Sequence, residues 1–247
     1  MKGMAAPALS LGASLRWYHI QRFLDTVDPQ SVLEVGCGLG ATGYRLALRH
    51  PYRAYEPDPS SATTAAATMA GIAHADIRAV ALPSEADETF DLLVAFEVLE
   101  HLEEDVEALR LWREWTNPGG YLMFSVPAGP HRMGPWDERV GHFRRYSRIG
   151  LETVLAESGW EPVSIRAWGM PLGYLLEWIR HWVARISDDA ELSKDDRTAK
   201  SGRLLQPTRV LAPAIATISA PFALLQVPFA TSSLGIGFVV LARNSQT

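Results

Sequence analysis

The stretch from residue 31 to residue 43, SVLEVGCGLGATG, limits what this chain can fold into more than any other. Val32, Leu33 and Val35 favour a buried strand, and the glycines that follow favour a tight turn, because glycine adopts positive φ at little cost. A helix that begins after such a turn presents free N–H groups at its N-terminus. The stretch therefore predicts a strand, a glycine-rich turn and a helix that together bind a nucleotide-like ligand.

Two classes of ligand fit this turn. The segment GLGATG, residues 38–43, is a literal G-x-G-x-x-G, and Glu56 after the next apolar stretch is positioned like the ribose-binding acid of that dinucleotide fingerprint. Glu34, however, stands two residues before Gly36, and its carboxylate would attract a cationic ligand and repel a pyrophosphate. The turn alone therefore leaves open a nicotinamide-dependent oxidoreductase and a protein that binds a cationic cofactor.

The segment EVGCGLG, residues 34–40, resembles the first motif of the class I S-adenosylmethionine (SAM) methyltransferases. The segment FDLLVAFEVLEHL, residues 90–102, resembles the fourth-strand motif of the same family and has no equivalent in dinucleotide dehydrogenases. The resemblance implies an α/β fold with a seven-stranded, mostly parallel Rossmann-like sheet in the order 3-2-1-4-5-7-6, strand 7 being antiparallel. It favours SAM as the cofactor, and it also leaves open a non-catalytic SAM-binding subunit associated with a membrane.

The predicted cofactor site combines this resemblance with the ends of the predicted strands. It comprises Arg16, Glu34, Gly36, Gly38, Gly40, Glu56, Pro57, Asp76, Ile77, Phe96 and Glu97. Glu56 is expected to accept hydrogen bonds from both ribose hydroxyls. Arg16 matches the spacing of an arginine that contacts the SAM carboxylate in the ubiquinone-biosynthesis O-methyltransferases, which this part of the chain resembles. Asp76 and Ile77 are expected at the adenine edge, with Arg78 as the alternative if the strand register shifts.

A polar loop, AGPHRMGPWDERVGHFRRYS at residues 128–147, follows the fifth predicted strand, where α/β proteins place substrate-binding groups. Histidine is the side chain whose ordinary pKa lies nearest neutral pH, so it suits the role of general base. The predicted acceptor site is His142 as the base, with Arg144, Arg145 and Tyr146 orienting the acceptor. His131 and His101 are the competing bases.

Composition narrows the classes of partner. The 247 residues carry a net charge of −5 without a long basic block, so nucleic acid is not expected as a partner. Cys37 is the single cysteine, so no disulfide can form within the chain and a reducing, cytoplasmic location is expected. No cluster of metal ligands at a persuasive spacing is evident, so no metal is expected.

The chain divides into four predicted parts: a disordered lead at 1–14, a SAM-binding core at 15–170, a helical lid at 171–234, and a final core strand with a tail at 235–247. The charge-free run 210–242 exceeds the length of a membrane span. Prolines interrupt it, however, and its last residues are needed to form the final strand of the sheet. A lid over an apolar acceptor is therefore favoured, while peripheral membrane contact through Trp178 and Trp182 stays open. The predicted activity is methyl transfer from SAM to a small or lipophilic acceptor, with a hydroxyl as the favoured target.

Overall fold

A computed structural model describes residues 6–186 and 212–245. Its centre is a seven-stranded sheet in the order β3-β2-β1-β4-β5-β7-β6. The strands are β1 (Val32–Val35), β2 (Tyr52–Tyr55), β3 (Ala75–Arg78), β4 (Phe90–Phe96), β5 (Thr116–Pro127), β6 (Trp160–Trp168) and β7 (Gly237–Asn244). Strand β7 is antiparallel to both of its neighbours, and the other described pairs are parallel. This topology confirms the predicted fold class.

Helices cover both faces of the sheet. They are α1 (Leu11–Val27), α2 (Ala41–Ala47), α3 (Pro59–Met69), α4 (Asp105–Glu114), α5 (Pro135–Val140), α6 (Arg148–Glu157), α7 (Leu172–Ile186) and α8 (Ala212–Leu225). Side chains of α4 and α6 join one buried apolar cluster, and those of α1, α2 and α3 join another on the opposite face. A short 3-10 helix, Leu99–His101, lies between β4 and α4.

Strands β1 and β4 bring the two predicted motifs together. Leu33 and Leu93 pair in parallel register and are fully buried, as expected for central strands that are covered on both faces. Because parallel strands point the same way, the glycine turn after β1 and Glu97 after β4 lie at the same edge of the sheet. Glu56 after β2 lies there as well, since β2 is parallel to β1.

The N-terminal segment contributes to the fold from residue 6 onwards, where the sequence analysis predicted a disordered lead. Ser10 caps α1 by accepting a hydrogen bond from the Ala13 N–H at 3.2 Å, and Ala8 and Leu9 are buried. The side chain of Arg45 also donates to the Pro7 carbonyl at 2.9 Å. These apolar and polar contacts tie the segment to α1 and α2.

The structure describes the beginning and the end of the predicted lid, residues 171–186 and 212–234. Gln226, just after α8, is fully buried; it donates to the Leu15 carbonyl and accepts from the Gly169 N–H, both at 2.9 Å, so the end of the insertion is tied to α1. Residues 187–211, the middle of the predicted lid, lie outside the described residues. Among the described helices, none combines the length and the apolar character that crossing a bilayer requires.

Candidate active site

A cavity of about 1300 Å³ lies at the carboxyl edge of the parallel strands. Residues from α1, α5 and α7 line it together with the glycine turn. The predicted site residues that line it are Arg16, Glu34, Gly36, Gly38, Glu56, Pro57, Phe96, Glu97, His142 and Arg145. Those absent from its lining are Gly40, Asp76, Ile77, Arg144 and Tyr146. The fold therefore brings most of the predicted cofactor residues and part of the predicted acceptor site into one space.

The glycine turn has the backbone conformation that requires glycine. Gly36, Gly38 and Gly40 have φ values of +72°, +54° and +80°. A Cβ at Gly38 would meet no atom within 4 Å, so the backbone there is open to the cavity. A Cβ at Gly40 would come within 3.1 Å of the Ala65 backbone, which explains why Gly40 packs against α3 without lining the cavity.

Glu56 joins the glycine turn to the end of β2. One carboxylate oxygen accepts the Gly38 N–H at 2.7 Å, and the other accepts the Asp58 N–H at 3.0 Å. Each oxygen of an ionised carboxylate has a second lone pair, so both retain capacity to accept from ligand hydroxyls. An open glycine backbone beside a fixed carboxylate is an arrangement that fits the ribose and the adjoining chain of SAM.

Glu34 differs from the sequence prediction in its charge. Its carboxyl group is buried and accepts a hydrogen bond from the Tyr52 hydroxyl; the two groups lie against Gly43, where any Cβ would overlap both. Burial raises the pKa of Glu34 to about 8, although the Tyr52 hydrogen bond opposes the increase. Glu34 is therefore mostly protonated at neutral pH, so the expected attraction between its negative charge and the cationic end of SAM is weakened.

Glu97 stands directly after β4 with φ at +59°, a strained conformation for a residue other than glycine. Its Oε1 accepts from Ser125 Oγ at 2.9 Å and pairs with Arg16 Nη1 at 2.9 Å. Burial acts to raise the pKa of Glu97, but Arg16 and the Ser125 hydrogen bond together lower it below its ordinary value. Arg16 also lies 5.2 Å from the centre of the Trp168 ring. The cavity thus holds an ionised pair, Arg16 with Glu97, close to the glycine turn.

His142 is held by Asp137, a residue that the sequence analysis did not single out. The Nδ1 atom of His142 lies 2.8 Å from Asp137 Oδ1, and Arg145 donates to both Asp137 oxygens at 2.8 Å. Burial acts to raise the pKa of Asp137, but the hydrogen bonds from His142 and Arg145 lower it to about 2. An ionised Asp137 accepts from Nδ1–H, which leaves Nε2 of His142 as the nitrogen with a free lone pair.

Glu100 and His101 adjoin this pair. The carboxyl group of Glu100 is fully buried, and neither oxygen has a hydrogen-bond partner among the described residues. Its Oε1 lies 3.8 Å from His142 Nε2. Burial and the nearby Glu97 raise the pKa of Glu100 well above its usual range. Burial lowers the pKa of His101 to about 4, so His101 is neutral at pH 7. The ligand atoms of Glu100, His101 and His142 lie within 4.8 Å of one another, close enough to hold a metal ion. The sequence spacing did not reveal this group, because His142 is distant in the chain.

Two of the predicted acceptor residues turn away from the cavity. Arg144 pairs with Asp105 at 2.8 Å and donates to the Glu103 carbonyl, and the Tyr146 hydroxyl donates to Asp105 at 2.9 Å. Both side chains therefore anchor the loop to the start of α4 and do not line the cavity, so this geometry does not support the acceptor-orienting role predicted for them.

The predicted adenine-edge residues also lie elsewhere. Asp76 accepts from Arg53 at 3.0 Å and from Arg78 at 2.9 Å, and Ile77 lies beside it in β3. The chain reaches the cavity a few residues later, at Ala81 and Leu82. The register that places Arg78 at the adenine edge receives no support either, since Arg78 is absent from the cavity lining.

Comparison with known proteins identifies the family. A family model described as a methyltransferase domain matches residues 18–165. An uncharacterized methyltransferase of Mycobacterium tuberculosis is 35% identical over 162 residues, which are 62% of this chain and 78% of that protein; a relative from Mycobacterium bovis matches equally. The chain belongs to this methyltransferase family, and it is a class I SAM-dependent methyltransferase. The family match decides against the nicotinamide-dependent oxidoreductase that GLGATG left open.

Solved structures share the fold. Coclaurine N-methyltransferase, bound to N-methylheliamine and S-adenosylhomocysteine, aligns with a TM-score of 0.60 over 94% of this chain and 72% of its own, at 15% identity. The N-methyltransferase NodS from Bradyrhizobium japonicum, in complex with S-adenosylhomocysteine, aligns at 0.52 over 64% and 81%, with 24% identity. The [4+2]-cyclase SpnF aligns at 0.58 over 95% and 83%, with 17% identity. Because one fold hosts different reactions, the acceptor must be argued from this chain's own cavity.

Proposed function

We propose that this chain transfers the methyl group of SAM to a hydroxyl of a small, largely apolar acceptor bound between α1, α5 and α7. The observation that carries the proposal is the buried Asp137–His142 pair in the wall of the cavity that also contains the glycine turn. Apolar side chains that line the same cavity supply the acceptor surface: Leu9, Ala13, Trp136, Val140, Phe143 and Ile236. A cavity of about 1300 Å³ exceeds the common range of roughly 300–1000 Å³ for one ligand, which favours two ligands side by side.

In this proposal the residues near the glycine turn bind the cofactor. When bound, SAM supplies a methyl group already activated by its sulfonium. Glu56 accepts from the ribose hydroxyls, because each of its oxygens has a lone pair beyond the backbone hydrogen bonds. Arg16 and Glu97 offer a cation and an anion for the carboxylate and the ammonium of the amino-acid end, and Phe96 packs against the adenine.

His142 is the proposed general base. A hydroxyl oxygen that attacks the methyl carbon must lose its proton, and Nε2 of His142 can accept that proton while Nδ1–H donates to Asp137. The negative charge of Asp137 stabilises the imidazolium that results, and Arg145 holds Asp137 in place with two hydrogen bonds. Arg145 is therefore proposed as a positioning residue, and α7 as the wall that keeps water away from the acceptor.

The test measures S-adenosylhomocysteine production with hydroxylated acceptors drawn from a screen of small aromatic and lipophilic compounds. We expect His142→Gln to lower turnover by about 100-fold or more, because a positioned base typically contributes 10²–10⁴-fold, while the dissociation constant for S-adenosylhomocysteine stays unchanged. The matched control is His131→Gln, since His131 is exposed and absent from the cavity lining. This control should retain full turnover.

Three results would contradict the proposed chemistry. Full turnover in His142→Gln would remove this residue from the mechanism. Turnover that is lost on dialysis against a chelator and restored by a divalent ion would assign His142, with Glu100 and His101, to a metal, and the proton would then need another acceptor. If every acceptor that reacts is methylated on nitrogen, the assignment of a hydroxyl target is wrong, although the activity is still methyl transfer.

A further inference from the structure

Helix α7 contributes Arg180 to the lining of the cavity. The cavity lining includes Arg16, Arg145 and Arg180, and Arg132 pairs with Glu177 of the same lining. Among the described residues, Glu97 pairs with Arg16, Asp137 pairs with Arg145, and Glu177 pairs with both Arg145 and Arg132. The described residues give Arg180 no carboxylate within the 4.0 Å of an ion pair.

The surroundings of Arg180 place its positive charge in a partly enclosed space. Its guanidinium lies 5.8 Å from the centre of the Trp136 ring, and both residues line the cavity. A terminal nitrogen of Arg180 lies 3.4 Å from the point where a Cβ would stand on Gly12, so the side chain reaches across to α1. Burial lowers the pKa of Arg180; Glu97 and Glu177 act to raise it, while Arg16 and Arg145 lower it further. Arg180 is half-buried, and a cation partly withdrawn from water costs free energy that a bound anion would recover.

The nearby acids do not supply that anion. Glu97 and Glu177 are already engaged by other arginines. The position of Arg180 in the chain also separates it from the cofactor-binding core, because the family model ends at residue 165 and α7 begins at Leu172. A residue outside that core is suited to recognising what differs among such enzymes, namely the acceptor.

We infer that Arg180 binds an anionic group of the acceptor, a carboxylate or a phosphate, while the acceptor's apolar part lies against Trp136. The inference rests on the proposed function, since it assigns Arg180 to the acceptor of that reaction. The planar guanidinium can donate two parallel hydrogen bonds to either anion, which gives both affinity and orientation. The acceptor class is thus narrowed from any small hydroxylated compound to a hydroxylated acid or phosphate ester.

The test is calorimetry on the full chain saturated with S-adenosylhomocysteine, with benzoate and phenyl phosphate as anionic probes and benzamide as the neutral probe. We expect at least one anion to bind at millimolar concentration and to bind more tightly than benzamide. Arg180→Gln should weaken that anion by about tenfold or more, the effect of losing a charge-assisted, bidentate contact, and should leave benzamide unchanged. Arg49→Gln, which removes the same charge from an exposed site, should change neither.

Several outcomes would overturn the inference. The inference fails if neither anion binds the natural chain. It also fails if Arg180→Gln binds the anions with the same affinity as the natural chain. If Arg180→Gln weakens S-adenosylhomocysteine but not 5′-methylthioadenosine, which lacks the amino-acid end, then Arg180 holds the cofactor's own carboxylate. Arg180→Lys keeps the charge and guards against a misfolded Gln variant; we expect it to bind S-adenosylhomocysteine normally and the anion more weakly. Failure of the natural chain to bind S-adenosylhomocysteine would instead refute the proposed function.

Discussion

Glu34 shows how burial changes the chemistry of a single residue. It stands where the family motif has an acid, yet its carboxyl group is enclosed by Tyr52 and Gly43 and its pKa rises to about 8. An acid with a raised pKa in the folded state binds its proton more tightly there than in the unfolded chain. Between the ordinary value of 4.5 and about 8, the folded state therefore holds more protons, and the free energy of unfolding falls as pH rises.

This sign leads to a measurable prediction for Glu34→Gln. Glutamine stays neutral, so the variant lacks this pH dependence, and its stability relative to the natural chain should increase from pH 5 to pH 8. The full effect is on the order of 1.4 kcal/mol for each unit of pKa displacement. Urea denaturation at several pH values measures it. Glu161→Gln, at an exposed carboxyl group, is the control and should follow the natural chain at every pH. Parallel stability curves for the natural chain and Glu34→Gln would show that Glu34 is ionised in the folded state.

At the scale of elements, α7 has two faces with different surroundings. Its inner face carries Glu177 and Arg180, and its outer face exposes a continuous apolar stripe. That stripe consists of Tyr174, Leu175, Trp178, Ile179, Trp182 and Val183. Glu177 is 13% exposed and bridges Arg132 and Arg145, whereas Trp178 is 64% exposed. The helix is therefore attached to α5 and its flanking loops through charged groups rather than through its largest apolar side chains.

This arrangement predicts that substitutions at two neighbouring residues of α7 change the free energy of unfolding by very different amounts. Glu177→Gln leaves two arginines without their shared carboxylate and should lower the free energy of unfolding by about 2–4 kcal/mol, near the cost of breaking a buried ion pair. Trp178→Ser, one residue further on, should change it by no more than about 0.5 kcal/mol, because the side chain is mostly in water. Chemical denaturation of both variants gives the comparison. A larger loss from Trp178→Ser would mean that the outer stripe is covered in the folded protein.

The elements that could be predicted well from the sequence are those whose structure depends on residues close together in the chain. Strands β1 and β4 are mainly apolar, and the glycines and acids at their ends lie together because parallel register requires it. The acceptor side was predicted less well, since it depends on contacts between distant segments. Nothing in the run around Arg144 shows that its partner is Asp105, or that Asp137 holds His142. A charged loop reveals which groups are available, but its folded geometry decides which of them face the cavity.

At the scale of the whole molecule, one cavity connects the motif-bearing core to the segment beyond it. The glycine turn and Glu56 come from the part that the family model matches, while Trp168 and Arg180 come from the part that follows. A ligand that fills this space contacts both parts, and binding to the folded state alone raises the unfolding temperature. The stability of the whole chain therefore reports which cofactor the cavity accepts.

S-adenosylhomocysteine at about 100 times its dissociation constant should stabilise the chain by about 2.7 kcal/mol, which for a chain of this length corresponds to a rise of roughly 5–10 °C in unfolding temperature. NAD(H) and NADP(H) should cause no comparable rise. Glu56→Ala should reduce the rise at the same ligand concentration, because the ribose hydroxyls lose a charged acceptor worth about 1–3 kcal/mol. Asp76→Asn is the matched control, since Asp76 is paired with Arg53 and Arg78 and does not line the cavity. Differential scanning fluorimetry of the three proteins decides the outcome: a full rise in Glu56→Ala would remove Glu56 from the ribose site, and a reduced rise in Asp76→Asn would return Asp76 to the adenine edge.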